Sequence, residues 1–214
     1  MAFNVNALPV SVGAISEQFN APATSVGTAL VVYSLFVAAF VLLGSKLGKL
    51  IGARLVFQVT VLAHGVAMAL MALSSDVSTM NNAQAIAGLA AAELVPTLVV
   101  LIAGNYQGKQ QEQALGLLAG TPAISGALAF FVAGFLTTTV SWRVSFALLA
   151  ALSVIIFVLS FRLERIPRNA DTKIDLVGAV LAAVAIILIS VGFNNLNNWG
   201  VVLANSNAPF SLFG

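Results

Sequence analysis

The chain has 214 residues, of which 60% are hydrophobic and 7% charged, with a mean hydropathy of +1.03 and a formal net charge of +2. Soluble domains carry about 25% charged residues, so a water-soluble globule is excluded and a membrane protein is expected. A single histidine and no cysteine leave no disulfide framework, no thiol catalysis and little for metal ligation.

Residues 1–18 read as the later part of a membrane span that starts without a polar lead-in, and "MAFNVNALPV" lacks the basic region of a cleavable signal. Six full spans follow, at 23–45, 55–75, 81–104, 114–139, 144–162 and 175–194, each apolar and bounded by turn or charge signals. Lipid offers the backbone no hydrogen bonds, and the ten-residue alternating strands of a barrel are absent, so all are expected to be helices. The segment "RLERIPRNADTKID", 162–175, is the one polar linker. The expected organisation is a helix bundle over 1–163, a cytoplasmic linker over 164–174, an additional transmembrane helix over 175–194 and an extracytoplasmic tail over 195–214.

Positive charge sets the orientation. Lys46, Lys49 and Arg54, then Lys109, then Arg162, Arg165, Arg168 and Lys173 fall on one side, and Arg143 alone on the other. The loops near 50, 109 and 168 are therefore expected in the cytoplasm, where the last cluster serves as an orientation signal at anionic lipid headgroups. Trp142 and Trp199 both map to the outer interface as belt residues. Counting the shortened segment over 1–18 as the first, helices one to three and four to six suit two units of opposite orientation, although no residue-level self-similarity supports this.

Two side chains stand out chemically. Glu93 lies about a dozen residues from either end of its span, at a depth where an unpaired carboxylate costs several kcal/mol. Thr97, Asn82 and Gly104 share its helical stripe. The functional reading is a group that takes and releases a proton; the structural alternative is a permanently protonated acid bonded to a neighbouring helix. His64 lies at similar depth, with proton relay and a neutral, hydroxyl-bonded packing role as its two readings. Gly44, Gly48 and Gly52 recur every four residues, which permits close helix approach. No catalytic constellation, cofactor motif, metal set or nucleic-acid footprint is present, so an enzyme is not expected.

The loop "GSKLGKLIGARLVF", 44–57, resembles the cytoplasmic signature of the major facilitator superfamily. "NALPV", "FNAPATSV", Tyr33 in "LVVYSLF", "LTTTVSWRVSF" and "KIDLVGAVL" follow in the order and spacing of its fourteen-helix drug/proton antiporter branch. With Gly52 on the signature's second glycine, Arg54 fits, but Lys49 replaces an aspartate and Ala53 a base. Gly88 matches the second motif, where Gln84 and Ala87 replace arginine and glutamine; Ala129 and Phe130 stand at the branch's Gly-Pro step.

The resemblance implies an all-α polytopic bundle: one six-helix half with a shortened first helix, plus one additional transmembrane helix. It implies a multi-pass protein of the bacterial inner membrane, its first helix starting on the cytoplasmic side. It places Asn4, Asn6 and Tyr33 at a small-molecule cavity and helix 3, which carries His64, at the bundle periphery. Depth and stripe make Glu93 and His64 the candidates for proton coupling and Thr97 a further cavity candidate, and Gly44, Gly48, Lys49, Gly52 and Arg54 are expected to form a cytoplasmic gating loop with Glu112 or Glu164 as partners. The functional expectation is half of a proton-coupled exporter of small amphipathic compounds. Its activity then calls for a second transporter half, a homodimer or a larger membrane complex. The alternative is a non-transporting membrane subunit or degenerate remnant in such a complex.

Overall fold

A computed structural model describes residues 1–167 and 176–194. Arg168, Lys173, Trp199 and the tail over 195–214 lie outside the described residues. Seven α-helices run through the rest: α1 (Ala2–Phe19), α2 (Ala23–Leu47), α3 (Ala53–Leu73), α4 (Val77–Asn105), α5 (Gly108–Thr139), α6 (Trp142–Leu159) and α7 (Leu176–Asn194). Five stretches, from Ala23–Gly44 to Trp142–Arg162, are long and apolar enough to cross a membrane; the apolar part of α7, Val177–Gly192, is shorter.

Helix ends differ from the apolar boundaries for a physical reason: hydropathy marks where a helix meets lipid, whereas caps mark where it starts. α4 begins at Val77 rather than 81 because Asp76 accepts the Thr79 backbone N–H at 2.8 Å, a side-chain N-cap. α5 begins at Gly108 rather than 114, since "KQQEQ" is polar but made of good helix formers. The expected loop over 44–54 is hardly a loop. α2 continues to Leu47, passes into a π-helical turn over Gly48–Gly52, and α3 starts at Ala53. The reversal falls on Gly52, whose φ of 110° disfavours any side chain.

α4 packs between α2 and α3, α1 lies along α5, α3 lies along α6, and α7 rests on α2. Contacts at Tyr33–Gly88, Gly44–Glu93 and Gly48–Thr97 make α2 and α4 parallel, and those at Asn6–Gly126 and Ser11–Thr137 do the same for α1 and α5. Exchanging α1 with α4, α2 with α5 and α3 with α6 turns the α2–α4 pair into the α5–α1 pair and maps α3–α6 onto itself. The packing thus has the pattern of two inverted three-helix units that the residues themselves do not display.

The core centres on α1, α2, α4, the later part of α3 and the start of α6. Trp142 is 2% exposed, edge-on to Phe19 and Phe146, and its indole N–H donates to Gln18 at 2.7 Å. It is therefore core rather than a lipid-facing belt residue. Arg143, the isolated cation, donates to the Ala72 carbonyl near the C-terminal end of α3 and lies 4.6 Å from the Trp142 ring.

Candidate functional site: a buried acid at a helix seam

The α2–α4 seam is built on glycine. A Cβ at Gly88 would collide with the Tyr33 carbonyl oxygen. One at Gly44 would stand 2.8 Å from both the Ala92 carbonyl oxygen and Glu93 Oε2, and Gly48 faces Thr97 Oγ1 at 3.5 Å. Four-residue spacing on both helices thus sets Gly44 against Glu93 and Gly48 against Thr97. Gly44 and Gly48 consequently lie in this seam, not in an open turn.

Glu93 is 7% exposed and Thr97 fully buried, and Glu93 Oε2 and Thr97 Oγ1 have no hydrogen-bond partner among the described residues. Pro96, inside α4, has no N–H to give the Ala92 carbonyl four residues back. Three oxygen acceptors therefore gather where Gly44 and Gly48 of α2 meet α4. An arrangement of this kind cannot hold a full negative charge in place for free: it favours a proton on Glu93, or a donor arriving from elsewhere. Of the remaining stripe, Asn82 and Gly104 are exposed, and the Ile166 side chain covers Gly104.

Glu93 also lines a cleft of about 400 Å³ between α2, α3 and α4. Its other walls include Phe40, Leu43, Leu47, Val59 and Leu89. Thr60, the second polar residue there, donates its hydroxyl to the Val56 and Phe57 carbonyls, and Glu93 is the one ionisable side chain in the lining.

The other expected site residues are dispersed. Asn4 is 1% exposed and exchanges two amide hydrogen bonds with fully buried Gln84, at 2.9 and 3.1 Å. Asn6 donates to the Ala2 carbonyl at 2.7 Å and faces Gly126 of α5. Tyr33 is buried in the core. None of Asn4, Asn6, Tyr33 and Thr97 lines the cleft beside Glu93.

His64 belongs to the α3–α6 contact, where its Nδ1 lies 3.2 Å from Ser153 Oγ. That hydroxyl donates to the Leu149 carbonyl, an arrangement that suits a ring proton on Nδ1, and Nε2 is buried with no partner among the described residues. Among the described residues it makes no hydrogen bond to Glu93. Arg54 donates to the Phe161 carbonyl at 2.8 Å, tying the start of α3 to the end of α6. Lys49 is exposed, and among the described residues neither Glu112 nor Glu164 pairs with Lys49 or Arg54.

Three features escaped the sequence. Gln84 was visible only as a departure from a motif, not as the mate of Asn4, because 80 positions separate them. Ser153 carries no signal in its apolar run beyond being a hydroxyl, and nothing in "LTTTVSWRVSF" marks Thr137 as the mate of Ser11. A second cleft, about 570 Å³, lies between α3, α4 and α6 and combines Phe57, Leu101 and Ile156 with Asn105, Arg162 and Glu164; its residues come from segments the linear reading kept apart.

Comparison with known proteins adds the family context. The family model described as Major Facilitator Superfamily matches residues 1–213. An uncharacterized MFS-type transporter, EfpA, of Mycobacterium tuberculosis (strain ATCC 25618 / H37Rv) is 30% identical over 154 residues, covering 72% of this chain and 29% of EfpA. The puromycin resistance protein of Streptomyces alboniger is 27% identical over 78% of this chain and 34% of its own. The quinolone resistance protein NorB of Staphylococcus aureus (strain MRSA252) is 25% identical over 98% and 46% respectively. The chain thus spans less than half the length of these curated relatives.

Proposed function

The chain belongs to the major facilitator superfamily, a family of non-enzymatic membrane transporters, and from that premise we propose that it is the N-terminal half of a proton-coupled exporter of small amphipathic compounds. Glu93 is the coupling carboxylate in this reading. The observation that carries it is the acid's position: buried against Gly44 at the α2–α4 seam, with Oε2 unpartnered and an apolar cleft alongside. A carboxyl so placed is stable when neutral and has to find a new partner when ionised, which is what a proton-driven cycle requires of its titrating group. The resistance proteins among its relatives support the export of small molecules.

The bundle over 1–163 then works against a second bundle, and the Gly48–Gly52 turn faces the cytoplasm of a bacterial inner membrane. The π-helical turn and Gly52 form the hinge on that side, and Arg54 holds it to the end of α6. The test is Glu93→Gln in the complete protein. Efflux driven by a pH gradient is expected to disappear while membrane expression stays normal. Wild-type efflux by this variant removes Glu93 from the coupling role.

A further inference from the structure

We propose that Pro96 is a positioning residue for proton binding by Glu93: by withholding an N–H from the Ala92 carbonyl, it leaves beside the carboxyl an oxygen that opposes the ionised acid and accepts from the neutral one. The inference deepens the coupling role proposed for Glu93 and rests on that acid taking up a proton. Geometry comes first. α4 is helical from Val77 to Asn105, with Pro96 inside it. In such a helix the carbonyl of residue 92 takes its bond from the N–H of residue 96, and proline has none. The Ala92 oxygen and Glu93 Oε2 both lie 2.8 Å from the point where a Gly44 Cβ would stand, so both face the gap that glycine leaves in α2. Ala92 and Glu93 are buried, and Oε2 has no hydrogen-bond partner among the described residues.

A carbonyl oxygen only accepts. Beside a carboxylate it sets acceptor against acceptor in a dry seam; beside a carboxylic acid it gives the O–H a place to go. The bias toward the protonated acid is thus built three residues downstream of it. Among the described residues no charged group faces Glu93 to compete for this role. α2 presents Gly44 and Gly48; of its ionisable groups, Tyr33 lies eleven residues away, and the helical period turns Lys46 away from α4. α3 brings Val56, Val59, Thr60 and Ala63 to the adjoining cleft, while its His64 bonds Ser153 and its Arg54 bonds the Phe161 carbonyl. Neither the rest of α4 nor α7, which packs on α2, carries an ionisable side chain.

The experiment is an infrared pH titration of the complete protein in nanodiscs, reading the carboxylic acid C=O band that Glu93→Gln removes. Pro96→Ala restores the missing N–H without touching the carboxyl and replaces a helix breaker by the best helix former. Its band is expected to titrate about one pH unit lower than in the wild type, and the external pH for half-maximal efflux to fall by the same amount. Pro96→Ser, which restores the same N–H with a different side chain, is expected to match it. Pro122→Ala, at the proline inside α5, is expected to leave both midpoints at their wild-type values.

Equal midpoints in the wild type and the Pro96 variants overturn the proposal. A shift that Pro122→Ala reproduces overturns it as well, and so does a wild-type Glu93 band that does not titrate. An unshifted band in Pro96→Ala, with pH-driven efflux lost in Glu93→Gln, leaves the coupling role standing and this role for Pro96 refuted. A shifted band with normal efflux in Glu93→Gln does the reverse.

Discussion

The α1–α5 and α2–α4 pairs are equivalent under the exchange of the two three-helix units, yet they settle their polar groups in opposite ways. Along α1–α5, Ser11 and Thr137 hydroxyls meet at 3.1 Å, Asn6 bonds the Ala2 carbonyl, and the glycines face side chains rather than backbone, Gly134 meeting Val10 at 3.7 Å and Gly126 meeting Asn6 at 3.3 Å. Along α2–α4, backbones touch at Gly88 and Gly44, and Glu93 Oε2 and Thr97 Oγ1 are left without partners. The same topology therefore supports a satisfied seam and an unsatisfied one. A membrane interior penalises the second, a cost that the proposed coupling role of Glu93 accounts for.

The comparison breaks most visibly at the glycines. Gly88→Ala drives a methyl group into the Tyr33 carbonyl, which is backbone and cannot step aside, and is expected to cost about 3 kcal/mol in a thermal or denaturant melt of the detergent-solubilised protein. Gly134→Ala, at the equivalent seam, is expected to stay within about 0.5 kcal/mol of wild type. Equal costs at the two positions would remove the distinction between the seams.

A middle-sized effect is expected at the Asn4–Gln84 pair, which ties α1 to α4. Asn4→Leu or Gln84→Leu alone strands a buried amide, at about 1–3 kcal/mol. The double replacement is expected to cost less than the sum of the two, and a double-mutant cycle reads the coupling directly. Additive losses would mean that the two amides do not act as a pair.

Smaller effects sharpen the contrast in hydroxyls. Ser11→Ala removes a paired group and is expected to cost about 0.6 kcal/mol, the average for such bonds between membrane helices. Thr97→Val removes an unpaired one of similar shape and is expected to be neutral or stabilising. A clear loss in Thr97→Val would reveal a partner for that hydroxyl.

The smallest lies outside both seams. Asp76 is exposed, and the Thr79 backbone N–H, with the Thr79 hydroxyl behind it, holds its carboxyl below its ordinary value of 3.8. A depressed carboxylate stabilises the fold above the unfolded-state value and stops doing so as pH falls through the folded-state value. Stability measured from pH 5 downward is therefore expected to fall more steeply in the wild type than in Asp76→Ala.

Much of this was legible in the linear sequence. The helices, their order, the depth of Glu93 and the four-residue recurrence of Gly44 and Gly48 all follow from hydropathy and the 3.6-residue period. Helix starts did not, because Asp76 caps α4 ahead of the apolar run and "KQQEQ" continues α5 beyond it. Trp142 carried the composition of an interface residue and is core, since Phe19, from a helix more than a hundred residues earlier, closes over it.

Residue order alone determined that this chain is a set of bilayer-length helices with one acid buried among apolar residues. That much depends on each segment's own exchange between water and lipid. Which helices touch, that Glu93 lies against Gly44 without a hydrogen-bond partner while Gln84 nine residues earlier is fully paired, and that a cleft opens beside the acid were decided only by tertiary packing. A buried side chain that does not bond its own helix takes its hydrogen-bond partner from another, and no segment specifies its neighbours by itself.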